Sequence, residues 1–113
     1  MRAARHFPIT LAKKSYYVIR DGEPDMRFEG VQIAEVSSQS EGSQRWTVLR
    51  LFRTIGGRFI AVEEGHSVMA HEHTKYKADI CETSEEVVNA LGYGRLAKAL
   101  YRAADINIAE EIQ

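Results

Sequence analysis

Cysteine is almost absent from this chain: Cys81 is the only one in 113 residues. That excludes an intrachain disulfide and fits a reducing, cytoplasmic setting. No apolar run approaches the roughly eighteen residues of a membrane span, so no membrane partner is expected. The basic N-terminus has no apolar stretch behind it, so it does not read as a secretory signal. Neither charge sign is in excess: 15 Lys and Arg face 16 Asp and Glu, for a net charge of −1. A global basic field for drawing in nucleic acid is therefore missing. Internal repeats are missing too. Gly92-Tyr93-Gly94 is too short for a phosphate loop and lies between helices rather than after a strand. Pro24-Asp25 could open a restriction-type nuclease motif, but the acid-x-Lys element that must follow is not there. No cofactor motif is present, and no cofactor is expected.

What the chain does have is an ordinary globular composition, 44% apolar and 27% charged, in a length suited to one domain spanning 1–113. Its charge is uneven along the chain. Residues 1–20 carry Arg2, Arg5, Lys13, Lys14 and Arg20 and no acid, whereas the last ten carry Asp105, Glu110 and Glu111 and no base.

Period-two patterning dominates up to residue 80. Residues 7–20 read as extended, with Phe7, Ile9 and Leu11 alternating ahead of Ser15-Tyr16-Tyr17-Val18-Ile19-Arg20. Asp21-Gly22-Glu23-Pro24-Asp25 is a turn cluster. Val31–Val36 reads as a strand, and 37–44 as a polar connection. Arg45–Thr54 and Arg58–Glu64 form a hairpin around Gly56-Gly57, expected as a two-residue type I′ loop. That register sets Phe52 opposite Ala61, Leu51 opposite Val62 and Arg50 opposite Glu63. It gives one face of Trp46, Val48, Phe52, Phe59 and Ala61 and another of Leu49, Leu51, Ile60 and Val62. Apolar residues on both faces demand two covers. A further strand is expected from Val68 to about Ile80.

At Thr83 the period changes. Thr83-Ser84-Glu85-Glu86 has the form of a capping box, and Val87, Val88 and Leu91 form a buried stripe ended by Gly92. A second helix is expected from Arg95 to about Ala104, with Leu96, Ala99, Leu100 and Ala103 inward. A short third helix from Asp105 would place Ile108 and Ile112 together. The fold class is therefore α+β: a four- to five-stranded antiparallel sheet followed by two to three short C-terminal helices.

Three groups of residues bear on chemistry. On a regular strand His71 and His73 point the same way, which suits two metal ligands. Cys81 shares that parity but lies eight residues beyond His73, about 26 Å away on a strand. With no third ligand marked, no metal is expected. Glu64 and His66 also share a parity, with Arg45 and Arg53 expected beside them; such a set on a sheet can cleave RNA by acid–base chemistry. Arg95, Lys98 and Arg102 form a basic stripe on the second helix that, with Lys13 and Lys14, could face phosphates. Cys81 has no basic or histidine partner and is not expected to be a nucleophile.

The stretch Arg45–Gly57 running into Gly65-His66-Ser67 resembles small bacterial accessory proteins carried on plasmids and phages. The resemblance covers the middle third of the chain and brings no assigned active residues with it. It implies a bacterial accessory role, in size and lack of catalytic motifs like phage inhibitors of host defence such as anti-CRISPR proteins. The leading expectation is a non-enzymatic binding module that occludes a protein partner through Trp46, Phe52, Phe59, Leu49, Leu51, Ile60 and Val62, with a homodimer as one way to cover the spare face. The alternatives are a nucleic-acid-binding regulator and a small sheet-based ribonuclease.

Overall fold

The computed structural model describes residues 13–113. It contains five strands and two helices: β1 Lys14–Val18, β2 Met26–Ser37, β3 Arg45–Thr54, β4 Phe59–Ser67, β5 Lys75–Cys81, α1 Ser84–Leu91 and α2 Arg95–Ala103. The strands form one antiparallel sheet in the order β1-β2-β3-β4-β5. This is the α+β architecture expected from the change of period at Thr83. Phe7, Ile9 and Leu11, read as extended, lie outside the described residues. Among those described, no helix is long and apolar enough to cross a membrane.

The hairpin turn differs from expectation, and the difference propagates. Its loop is three residues long, Ile55-Gly56-Gly57, not two. Thr54 N–H donates to the Arg58 carbonyl at 2.8 Å, and Gly57 N–H donates to the Thr54 carbonyl at 2.9 Å. Gly57 takes the left-handed conformation such a loop needs, with φ +89°. The register therefore moves by one: Phe52 faces Ile60, Leu51 faces Ala61 and Arg50 faces Val62. A one-residue slip reassigns side chains between faces. The two faces become Trp46, Val48, Phe52, Ile60 and Val62 on one side, and Leu49, Leu51, Phe59 and Ala61 on the other.

Each face has its own cover. Leu49, Leu51 and Ala61 pack with Ala34 and Cys81 against Val87 and Val88 of α1 and Ala97, Leu100 and Tyr101 of α2. Phe52, Ile60 and Val62 pack instead with Val18, Met26 and Ala78, flanked by Tyr16 and Phe28. The second cluster exists because the sheet curls on itself. Asp21, just beyond β1, donates its N–H to the Tyr76 carbonyl at 2.9 Å, and its carboxylate accepts the Tyr76 N–H at 2.8 Å. The first strand is thereby fastened to the last. The Tyr16 ring comes within 4.7 Å of Phe52 and 5.6 Å of Phe28, centroid to centroid. With the N-terminal strands folded over it, the concave face no longer needs a second copy of the chain as its cover.

A bulge in β2 accommodates the curl. Gln32 faces Phe52 but Ala34 faces Leu51, so Ile33 is an extra residue. Bulges bend a strand and increase its twist. This one also switches parity: Ile33, Ala34 and Val36 turn toward the helices, and Glu35 turns to the concave side opposite Arg50.

Thr83 caps α1, accepting the Glu86 N–H at 3.1 Å, while the Glu86 carboxylate accepts the Glu82 N–H at 2.8 Å. α2 buries Ala97, Leu100 and Tyr101, a stripe displaced from the expected Leu96, Ala99, Leu100 and Ala103. The expected third helix does not form. Asp105, at φ +59°, ends α2 with paired bonds from Asp105 N–H to the Arg102 carbonyl and from Ile106 N–H to the Tyr101 carbonyl. Ile106 and Ile108 then pack against the helix-side core, and Ile112 is exposed. The expected strand from Val68 is shorter too: residues 68–74 form a loop, and β5 begins at Lys75.

Gly30 sits where β2 crosses β3 at close range. A Cβ there would run into the Arg53 carbonyl oxygen and lie 2.9 Å from Thr54 Cα, both backbone atoms with no freedom to move aside. Gly30→Ala is expected to destabilise the fold by about 1–3 kcal/mol, read as a lower urea midpoint with an unchanged slope.

Candidate functional site

The residues assigned to a partner surface from sequence are mostly interior. Leu49, Leu51, Phe52, Ile60 and Val62 are all at most 4% exposed. They belong to the two cores and cannot serve as a surface. Phe59 is half-buried under the Arg53 guanidinium, 4.7 Å from the ring centroid. Only Trp46 stands apart: it is half-buried and stacks on His66 with ring centroids 5.5 Å apart and planes 9° from parallel.

Arg95, Lys98 and Arg102 are exposed on α2, which packs on β2 and β3. Lys13 and Lys14 are exposed at β1, the far edge of the sheet. The helix stripe and the N-terminal lysines therefore occupy different elements, and α2 does not rest on β1. Cys81 is buried in the helix-side core. Burial pushes its thiol upward, reinforced by Asp79 and Glu86, which disfavours a thiolate nucleophile.

Glu64 and His66 do come together. His66 Nε2 lies 2.8 Å from Glu64 Oε1. A carboxylate only accepts, so the imidazole nitrogen carries the proton in this contact. Arg53 is not beside them, because the three-residue turn sends it to the opposite face, over Phe59; Arg45 lines the same cleft as His66 but is bound to Glu72. Arg50 takes the place beside them. Its Nη1 donates to Glu64, and its Nε donates to Glu35 at 2.8 Å. A chain of charge thus runs Glu35–Arg50–Glu64–His66 across β2, β3 and β4. Burial works against the Arg50 charge, but Glu35 and Glu64 outweigh it and hold the guanidinium more firmly protonated than usual. The Glu64 side chain is only 15% exposed.

The chain orients His66 through Glu64, which Arg50 holds in turn. Glu64 meets His66 on one side and accepts from Arg50 on the other. Sequence reasoning missed Arg50 and Glu35. One signal was present: apolar residues at 31, 33, 34 and 36 break strict alternation, as a bulge requires.

His66 and Trp46 open onto a cleft of about 540 Å³ lined by Ser38, Arg45, Trp46, Thr47, Gly65, His66, His71, Glu72, His73 and Lys75. His71 and His73 reach it from the 68–74 loop rather than from a strand, so period-two reasoning about them does not apply. Glu72 ties that loop down. Its carboxylate accepts from Arg45 Nε at 2.9 Å, Arg45 Nη2 at 2.6 Å and Ser67 Oγ at 2.5 Å. Among the described residues, no group of three or more His, Cys, Asp or Glu side chains is placed to hold a metal ion. A smaller cavity of about 220 Å³, lined by Tyr16, Gln32, Arg50, Glu64 and Tyr76 among others, lies on the other side of Glu64.

Hydrogen bonds from Arg45 and Ser67 hold the Glu72 carboxyl down to about 2. Its ionised form is favoured by the fold, so the tie is intact above the ordinary carboxylate range of roughly 4 to 4.5. It weakens as pH falls from there toward 2. Carboxyl-carbon NMR should show Glu72 titrating near 2, and Arg45→Ala should return it toward the ordinary range. Arg50→Met would leave Glu64 half-buried with no cation behind it. We expect a loss of about 1–3 kcal/mol, partly restored when Glu64→Gln is added, as measured by chemical denaturation in a double-mutant cycle.

No protein family, curated protein or solved structure matches this chain in comparison.

Proposed function

We propose that this protein is a non-enzymatic binding module that holds its ligand in the cleft at the Trp46 end of the curled sheet. One observation carries this reading. The large apolar side chains of the β3–β4 hairpin go into two cores, yet Trp46, the single tryptophan of the chain, is held at the wall of an open cleft. A large ring with a polar edge in a concave, partly wet position is a common binding anchor. Its neighbour His66 is fixed from behind by Glu64 and Arg50, so the wall is preorganised and little ordering cost falls on the ligand.

Occlusion of a protein partner, as in an accessory protein of a plasmid or phage, is the second reading. It rests on a different surface. Tyr17 and Ile19 are 62% and 43% exposed on the outer side of the first strand region. The helices pack on β2 to β5 and leave that side uncovered. An exposed aromatic beside an exposed aliphatic residue is a suitable anchor for a protein interface.

Affinity capture from a bacterial lysate, with and without nuclease, separates the two. Trp46→Ala is expected to release the principal captured component, while a Tyr17→Ser/Ile19→Ser variant retains it. Loss in the β1 variant alone would move the function to that surface, and identical capture by all three proteins would remove it from both.

A further inference from the structure

We propose that the cleft is a stacking site for a nucleobase of single-stranded nucleic acid, with Trp46 as the platform and Lys75 as the contact for an adjoining phosphate. This rests on reading the cleft as the binding site and adds the class of ligand.

The wall supplies the first requirement. Trp46 and His66 are near-parallel rings, 9° apart. The orientation of His66 is set by the Glu64 contact at 2.8 Å and, through Glu64, by Arg50 and Glu35. A base extends such a stack without sequence-specific bonding, since every base has a π face. The second requirement is cationic surface within a nucleotide's reach. Lys75 lines the same cleft, and among the described residues it enters no salt bridge. His71 and His73 are exposed at the rim and add imidazole donors.

Among the described residues, the one acid lining the cleft, Glu72, is already bound by Arg45 and Ser67. The Arg45 guanidinium offsets its charge, so the pair adds no net negative charge against a phosphate. The volume, about 540 Å³, is in the range that houses small ligands. A duplex keeps its bases paired and stacked on each other, so this geometry selects single strands. The exposed stripe Arg95, Lys98 and Arg102 lies on the helix layer and takes no part.

The test uses the full chain with fluorescein-labelled U8 and A8 RNA oligonucleotides. Anisotropy reads binding, and the emission of Trp46 reads contact. Both oligonucleotides are expected to bind with a change in Trp46 emission. Trp46→Ala should weaken binding by about tenfold to a hundredfold. Trp46→Phe, which keeps a ring, should retain most of it; circular dichroism on both variants checks that they fold. Lys75→Ala should weaken binding and flatten its salt dependence by roughly one phosphate contact. Arg95→Ala/Lys98→Ala/Arg102→Ala should bind as the wild type does.

Absence of binding by both oligonucleotides, or equal binding by folded Trp46→Ala, would overturn the proposal. So would duplex RNA binding as tightly as the single strand. UMP competing as well as the oligonucleotide would assign the site to free nucleotides and overturn the polymer. If the oligonucleotides fail while lysate capture still depends on Trp46, the cleft remains a binding site and only the ligand class falls. If both fail, both readings fall together.

Discussion

The register of β3 against β4 governs this structure, and three residues set it. With Ile55, Gly56 and Gly57 as the loop, Arg50, Glu64, His66 and Trp46 share the concave side and Leu49 and Leu51 go under the helices. A loop one residue shorter would reassign those positions between the faces. The two cores and the site are consequences of the same turn. Gly57 makes it possible by adopting a left-handed conformation that most side chains resist.

Curl is the second constraint, and it solves a burial problem. Two short helices can cover only one side of the sheet. The hairpin brings large apolar side chains to both, at roughly 1.5–3 kcal/mol each if left in water. Folding β1 and the first half of β2 over the concave side buries Phe52, Ile60 and Val62 without recourse to another chain. The Asp21–Tyr76 bonds hold this arrangement. At the other end of the concave side the apolar filling gives way to Arg50, Glu64 and His66, and beyond them the sheet opens into the cleft.

The polar chain at that opening is stable only as a unit. Glu64 is largely enclosed and has Arg50 as its cation, and Arg50 is shared with Glu35. Glu35 faces it solely because β2 bulges at Ile33. One irregular residue thus supports both the bend of the sheet and the anchoring of His66. The Glu72–Arg45–Ser67 cluster plays the corresponding part for the 68–74 loop, bringing His71 and His73 to the rim.

Local chemistry in the sequence determined a good deal. The change from period two to period 3.6 at Thr83, the Thr83 cap and Gly92 place α1 within its observed limits, and the turn cluster at 21–25 separates β1 from β2. These signals are local because they depend on residues within one turn of each other. The pairing of Glu64 with His66 was legible for the same reason, since the two are neighbours on one strand. What the tertiary structure alone decided is the choice between neighbouring local conformations and everything that depends on distant backbone. The hairpin register rests on one extra loop residue. The presence of Arg50 and Glu35 beside Glu64 rests on that register and on the bulge. The end of α2 rests on Asp105 turning left-handed, which set Ile106 and Ile108 on the core instead of extending a helix. The curl joins Asp21 to Tyr76 across 55 residues, and no pattern within a single segment can encode a bond between two segments that only the folded sheet brings together.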